Sequence, residues 1–571
     1  MPIDQRARWV APYALFLTLS GIGYIALQPP FEGFDEFAHY SSLRQIAHTA
    51  TVPPYGASYL DSEFTNYQGP MPYGSGAPPY RAQLGARSYR EFFAAASDRS
   101  RYTQKYGAMP PARFQESRIP NWQAQHPPLY YLLVAPVVLA TDHTSLLAQT
   151  FVLRLASYLL AIGGVWFGLT SIRRLGRATS GRATSGQATS AAALGFILYP
   201  VLLPEFFPEF ARIGNDSLCL LLLGYLLYVM ADEIDPGQRL RAPGLIGLVL
   251  GLGLLTKALF LPVAAAVILW LVLCRTTADE GPLRTRLAHM PDIAKVVAII
   301  FVVGGWWYVY KLLVYGNLTG GDEAIRLSRA GGMVLGLRDH FSLRAVVRGL
   351  ASIPVTWAWT GTWSLARLPA WLELPLVVLA LWVVLESLIV IWRGPVKNVE
   401  NVENVQDVRN LRNLNWLTVL MTVGMGLGLA HRTFQGIAVG GNGNQGGWYL
   451  HILMPWVAIA MGGGIWAILR RPVARTMFFC LAAYAAAFHL MAIWSEAALF
   501  SGCATKGDDK LFQFPSAAYC FDQASLVFDQ LGVLAWPRIA LCGFVGAIAC
   551  GVWMAAALVP LPQTESDTRP G

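Results

Sequence analysis

Long apolar runs separated by short, arginine-bearing polar segments set the rhythm of this chain. The first run, Val10 to Leu27, follows Arg6 and Arg8. It is longer than a signal-peptide core and no small-residue cleavage site follows it, so it reads as an uncleaved anchor with its N-terminus inside. From Gln28 to Gln125 the chain is polar, rich in Pro, Gly and Tyr, and has no spanning run. Its aromatic residues (Tyr55, Tyr59, Tyr67, Tyr73, Tyr80, Tyr89, Phe92, Phe93, Tyr102 and Tyr106) predict a folded outer subdomain lying on the membrane rather than a disordered loop. A short stretch, Leu129–Ala140, is expected to be a half-span or a steeply tilted helix. Further runs lie near Leu146–Ile172, Ala191–Phe207, Ser217–Met230, Leu245–Leu255, Ala258–Cys274 and Val296–Tyr315. The last lie near Leu372–Trp392, Trp416–Ala430, Tyr449–Leu469, Met477–Trp494 and Ile539–Val559.

This pattern predicts an all-α polytopic membrane protein with about a dozen transmembrane helices and a large first extracytoplasmic loop. The expected units are an anchor (1–28), an extracytoplasmic subdomain (29–128), a transmembrane core (129–315), a second extracytoplasmic loop (316–371) and C-terminal transmembrane helices (372–571) with a loop at 496–536. Orientation follows the basic loops: Arg173, Arg174, Arg177 and Arg182; Arg239 and Arg241; Arg275, Arg284, Arg286 and Lys295; Arg393 and Lys397 through Arg412; Arg470, Arg471 and Arg475. All fall on the N-terminal side if Leu129–Ala140 does not cross, which places both chain ends inside.

Composition agrees with a lipid environment. The chain is 54% hydrophobic and 13% charged, with mean hydropathy +0.43, against about 25% charged for soluble domains. The 19 Trp and 23 Tyr suit interfacial belts. A net charge of +9 is explained by the inner loops and not by a nucleic-acid groove. Cys219, Cys274, Cys480, Cys542 and Cys550 lie in or beside apolar runs and read as packing residues. Cys503 and Cys520 share a polar loop and can pair in an oxidising compartment. No Cys-x-x-Cys spacing or phosphate-binding glycine motif supports zinc, iron–sulfur or nucleotide chemistry. The repeats at Arg177–Gly186 and Asn398–Arg412 read as tolerated expansions of inner linkers.

Candidate chemistry starts at Phe31-Glu32-Gly33-Phe34-Asp35-Glu36-Phe37-Ala38-His39-Tyr40, immediately after the anchor. A helix over Glu36–Arg44 would put Asp35 and His39 on one face, with Glu36 a turn from His39. Three more outer segments are expected to converge on it. One is His126-Pro127-Pro128, leading into Tyr130. Another is Glu205 through Asp216, carrying Glu209, Arg212, Asn215 and Asp216. The third is the glycine-rich stretch from His431 to His451, carrying Arg432, Asn442, Asn444, Gln445, Trp448 and Tyr449. Lys257 interrupts two apolar runs. A cation at bilayer depth costs roughly 2.5–3.5 kcal/mol on insertion scales, which favours an anionic partner such as a lipid phosphate. Plainer readings stand beside these: acids favoured by a helix dipole, a histidine cap, cations snorkelling to headgroups, and a bare glycine turn.

The order of these motifs resembles the GT-C superfamily of integral-membrane glycosyltransferases. The likeness rests on Asp35-Glu36-x-x-His39 after an anchor, a first outer loop closing on His126-Pro-Pro-Leu-Tyr-Tyr131, Arg212-x-x-Asn215-Asp216, and Gln445-Gly-x-x-Tyr449. It is nearest to a bacterial multipass branch and to the protein-mannosyltransferase and aminoarabinose-transferase-like group. The resemblance implies a GT-C-like helix bundle and transfer of a sugar from a polyprenyl-phosphate donor to a hydroxyl of a glycan, lipid or protein. That reaction would serve cell-envelope assembly on the periplasmic side of a bacterial inner membrane. By resemblance Asp35 would be the general base. Glu36 and His39 would position the acceptor, or would join Asp35 around a divalent cation (Mg or Mn) in metal-using members. Tyr130, His126, Asn215, Asp216, Gln445 and Tyr449 would bind substrate. Gly447-Trp448 stands where the family has an arginine before the tyrosine, so Arg212, Lys257 and Arg432 are the candidate phosphate-binding cations. The rival readings are a transporter or flippase of lipid-linked saccharides, and an outer-face polysaccharide polymerase or ligase.

Overall fold

The computed structural model describes residues 9–52, 54–70, 72, 87–178, 183–233, 239–277, 290–329, 331–393, 405–505 and 514–558. Tyr73, Tyr80, Arg182, Arg284, Arg286 and the repeat residues 179–182 and 398–404 lie outside them. Helix α1 (Val10–Leu27) ends where Gln28 turns extended ahead of Pro29-Pro30. Helix α2 (Glu36–Thr49) follows and is almost wholly buried. Strands β1 (Tyr59–Asp61) and β2 (Glu116–Pro120) pair antiparallel, with Tyr59 opposite Pro120, and form the only described sheet.

The remaining long elements are helices: α3 (Leu129–Thr141), α4 (Leu146–Ala178), α5 (Ala183–Leu202), α6 (Asp216–Met230), α7 (Pro243–Leu254) and α8 (Phe260–Thr277), then α9 (Met290–Tyr315), α10 (Leu343–Ala358), α11 (Ala370–Arg393) and α12 (Val405–Ala438), then α13 (Met454–Leu469), α14 (Pro472–Phe500) and α15 (Pro537–Leu558). Among the described residues, eight helices are long and apolar enough to cross a membrane, and six shorter apolar helices accompany them. The chain is therefore a multipass, almost entirely helical membrane protein, as its hydrophobic pattern predicts. The 13-residue α3 contains Pro136. At about 20 Å it is shorter than the roughly 30 Å hydrocarbon core. The run expected over Ala191–Phe207 is shorter as a helix, because α5 stops at Leu202 ahead of Pro204 and a separate short helix spans Phe206–Phe210. Lys257 lies in the break between α7 and α8.

Two devices hold the bundle. Helix α13 is the most enclosed span, and its Trp456 indole donates to the Leu223 carbonyl of α6 at 2.9 Å. Helices α4 and α6 cross at Gly164 and Gly224, where a side-chain carbon on either residue would overlap the other helix's backbone. The segment between α2 and α3 is packed onto this base. Phe31 packs edge-on to Phe64 and Tyr67, and Phe37 stacks on Phe64. Arg44 pairs with Asp61 at 2.6 Å, and Tyr40 donates to Gln149 of α4 at 2.7 Å. Cys503 and Cys520 are disulfide-bonded. Gly502 packs on the Tyr89–Arg90 backbone, so the late loop sits on the same face as the first one.

Gly224→Val should drive β-carbons into the Gly164 backbone and lower the melting temperature of the detergent-solubilised protein by several degrees, since overpacking costs about 1–3 kcal/mol. Gly532→Ala, a site with open space around it, should leave the melting temperature unchanged or slightly raised.

Candidate active site

The segment between α1 and α2 is bent so that one acid is left partly exposed. Phe31 and Asp35 both adopt left-handed backbone (φ 69° and 56°). Asp tolerates this conformation better than most residues, but it still carries strain. Gly33 allows the bend because a Cβ there would lie 2.5 Å from Cβ of Arg212. The bend holds Asp35 half-exposed between buried Phe34 and Glu36. Asp35 stands at the N-terminus of α2 without capping it; its Oδ1 accepts from the Trp122 indole at 3.0 Å. Burial pushes the Asp35 carboxyl above its ordinary range. The Trp122 hydrogen bond and the nearby charges of Arg212, Lys257 and Arg432 offset part of that rise.

Glu36 does something different. Arg154 of α4 donates to both its oxygens at 2.7 and 2.6 Å, and the Ile213 amide donates to Oε1 at 3.1 Å. Arg154 also donates to the Gln28 and Pro29 carbonyls at 2.5 and 2.7 Å. Glu36 is thus the anchor point of the bend. Its oxygens are occupied, and His39 Nδ1 bonds the Tyr131 hydroxyl at 2.8 Å. Asp35, Glu36 and His39 do not fit a divalent cation. Among the described residues no group of three His, Cys, Asp or Glu is placed to hold one.

His39 and His126 lie parallel, their centroids 6.2 Å apart. Burial, reinforced by Lys257 and other cations, holds both imidazoles toward the neutral form. His126, Tyr131, Ser42, Ser58 and Ala124 line a cleft beside them. His126 does not cap α3: Pro128 holds that position, and the Leu129 amide donates to Leu255. Tyr130 points elsewhere and bonds Ser157 at 2.7 Å.

The cations expected to meet a phosphate already have carboxylates. Arg212 donates to Glu209 at 2.6 Å, to Asp216 at 3.0 Å and to the Phe34 carbonyl at 2.8 Å. Lys257 donates to both Asp216 oxygens at 2.8 and 2.7 Å, and its ammonium lies 4.5 Å from the centre of the Tyr449 ring. The anionic partner that Lys257 needs at this depth is therefore supplied internally. Arg432 is exposed. Asn215 donates to the Thr256 carbonyl at 3.3 Å, while its buried Oδ1 has no partner. Gln445 is held through its backbone by Ser352.

Several residues of this site were given no role by the sequence reading, although Glu32 and Trp448 lie within its candidate segments. Trp448 stacks on Phe34 at 4.2 Å. Trp122 bonds Asp35. Glu32 accepts from Tyr89, Thr362 and Ser364, which ties the first outer loop to the segment after α10. Arg154 left a signal, as a lone arginine within an apolar run. Trp448 left one too, standing at the position where an arginine was expected.

No family model matches the chain, and no curated protein matches its sequence. Among solved structures it is similar to ArnT from Cupriavidus metallidurans bound to undecaprenyl phosphate: 12% identity, 96% of this chain and 77% of that one, TM-score 0.44. Apo ArnT from the same organism gives 11% identity, coverage of 96% and 79%, and TM-score 0.41. Likenesses this distant carry no argument about chemistry.

Arg154→Met should leave Glu36 buried without a counter-charge. Breaking such a pair costs about 3–5 kcal/mol, so thermal unfolding should show a large destabilisation. Adding Glu36→Gln should recover part of it.

Proposed function

We propose that the chain is a membrane glycosyltransferase that moves a sugar from a polyprenyl-phosphate donor to an acceptor hydroxyl. In this reading the site faces the periplasm from a bacterial inner membrane, the orientation the basic loops favour. The observation that carries the proposal is the difference between Asp35 and its neighbours. Glu36, Glu209 and Asp216 are each ion-paired, whereas Asp35 is half-exposed and accepts a hydrogen bond from an indole. A carboxylate left free in this way, with its proton affinity raised, suits a general base. Asp35 would take the hydroxyl proton as the acceptor oxygen attacks the anomeric carbon and the bond to the lipid phosphate breaks. A direct displacement of this kind inverts the anomeric centre. A cationic group at the site would stabilise the departing phosphate. The aromatic walls of Trp122 and Trp448 would hold the sugar and exclude water. The motif order described above supports the same reading.

Asp35→Asn should abolish transfer from a polyprenyl-phosphate sugar while the protein still inserts and melts like the wild type. Turnover by this variant would remove Asp35 from the base role. The pH profile gives a second check. Because the folded Asp35 carboxyl titrates above its ordinary range, activity should fall on acidification at a pH higher than a free carboxylate would give. Trp122→Phe removes a hydrogen bond to the ionised form, so the acidic limb should move to still higher pH with the alkaline plateau retained. An unmoved limb would show that another group titrates.

A further inference from the structure

Five Lys or Arg side chains among the described residues are buried. Four have carboxylates: Arg44 with Asp61, Arg154 with Glu36, Arg212 with Glu209 and Asp216, and Lys257 with Asp216. The fifth, Lys311 near the C-terminal end of α9, is 1% exposed and pairs with no carboxylate among the described residues. Three aromatic rings surround its ammonium instead: Tyr315 at 4.7 Å, Trp307 at 5.2 Å and Tyr55 at 5.7 Å from their centroids. The Tyr315 hydroxyl donates to the Tyr55 carbonyl at 3.1 Å, so the box is closed by a residue of the first outer loop. Ring faces attract a cation but do not neutralise it. The hydrogen-bond donors of the ammonium are therefore not taken up by these rings.

Lys311 also lies beside the candidate site. The Gly320–Gly321 turn packs on its stem, where a Cβ on Gly320 would come 2.9 Å from Cδ of Lys311. A Cβ on Gly321 would lie 3.0 Å from Oε1 of Gln125, the residue before His126. Lys311 is close enough to His126 to favour its neutral imidazole. Among the described residues, a buried lysine with no carboxylate partner thus stands near His126, where the other buried cations are already ion-paired.

We propose that Lys311 is an anion-binding residue of this site and receives the phosphate of the carrier lipid. The assignment rests on the function proposed above and adds the group that would hold the donor's charge. Lysine is a point-charge phosphate ligand, and the aromatic box would keep it extended in a dry setting until the ligand arrives.

Binding to the full-length protein in nanodiscs tests this with three probes: a polyprenyl phosphate, the uncharged polyprenol of the same length, and inorganic phosphate. The wild type should prefer the phosphate ester over the alcohol by at least about tenfold. Lys311→Met should remove that preference and leave polyprenol affinity unchanged, which also reports that the variant is folded. Lys311→Arg should restore most of the preference. A Lys311→Met protein that retains the preference overturns this inference alone. A wild type that binds ester and alcohol equally overturns the proposed donor and the inference with it. Inorganic phosphate bound as tightly as the ester, and lost in Lys311→Met, would mark a free-phosphate site and sink the carrier assignment.

Discussion

The ion pair between Arg154 and Glu36 is the constraint on which the candidate site depends. One guanidinium gathers the carbonyls just beyond α1, at Gln28 and Pro29, and the first side chain of α2. An arginine inside an apolar span is expensive on its own, and a carboxylate at zero exposure equally so. Each is tolerable because the planar fork of arginine satisfies two carbonyls and a carboxylate together. The sharp bend at Phe31–Asp35 follows, since the chain must leave α1 and enter α2 within one arginine's reach. The half-exposed position of Asp35 is a product of that geometry.

Around this bend, acids of one chemical type are given different tasks by their surroundings. Glu36 and Asp216 are held by cations, and Glu32 by hydroxyl groups and an amide of the Thr362–Ser364 segment. Asp35 receives an indole N–H and stays partly exposed. Burial raises both Glu32 and Asp35, but Glu32 is enclosed by its donors while Asp35 keeps an open side. Environment divides the labour here in the way expected of sites that handle protons.

Much of the architecture is legible in the residue order. Apolar runs locate the spans, and Pro29-Pro30 and Pro127-Pro128 mark where the chain leaves and re-enters them. The four outer segments that the hydrophobic pattern puts on one side do meet: Asp35, His126, Arg212 and Tyr449 lie in one neighbourhood. Partnership within it is not legible. Glu36 and Arg154 are separated by 118 positions, and spacing on a helix says nothing about a partner on another. For the same reason Lys257 reads as free to meet a lipid phosphate when Asp216, 41 positions earlier, already holds it. Left-handed backbone at Asp35 is likewise a tertiary effect, imposed by Arg212 gripping the Phe34 carbonyl.

The hydrogen bonds from Thr362 and Ser364 to Glu32 join the second outer segment to a residue three places before Asp35. The Trp363 amide adds a bond to the Glu32 carbonyl at 2.8 Å, alongside Glu205's grip on the Thr360 and Gly361 amides. A molecule that wedges this segment outward must break contacts that also fix the acid's backbone. Binding of any ligand that displaces this segment would then be thermodynamically linked to the aim of the carboxylate, and the linkage would run equally in both directions.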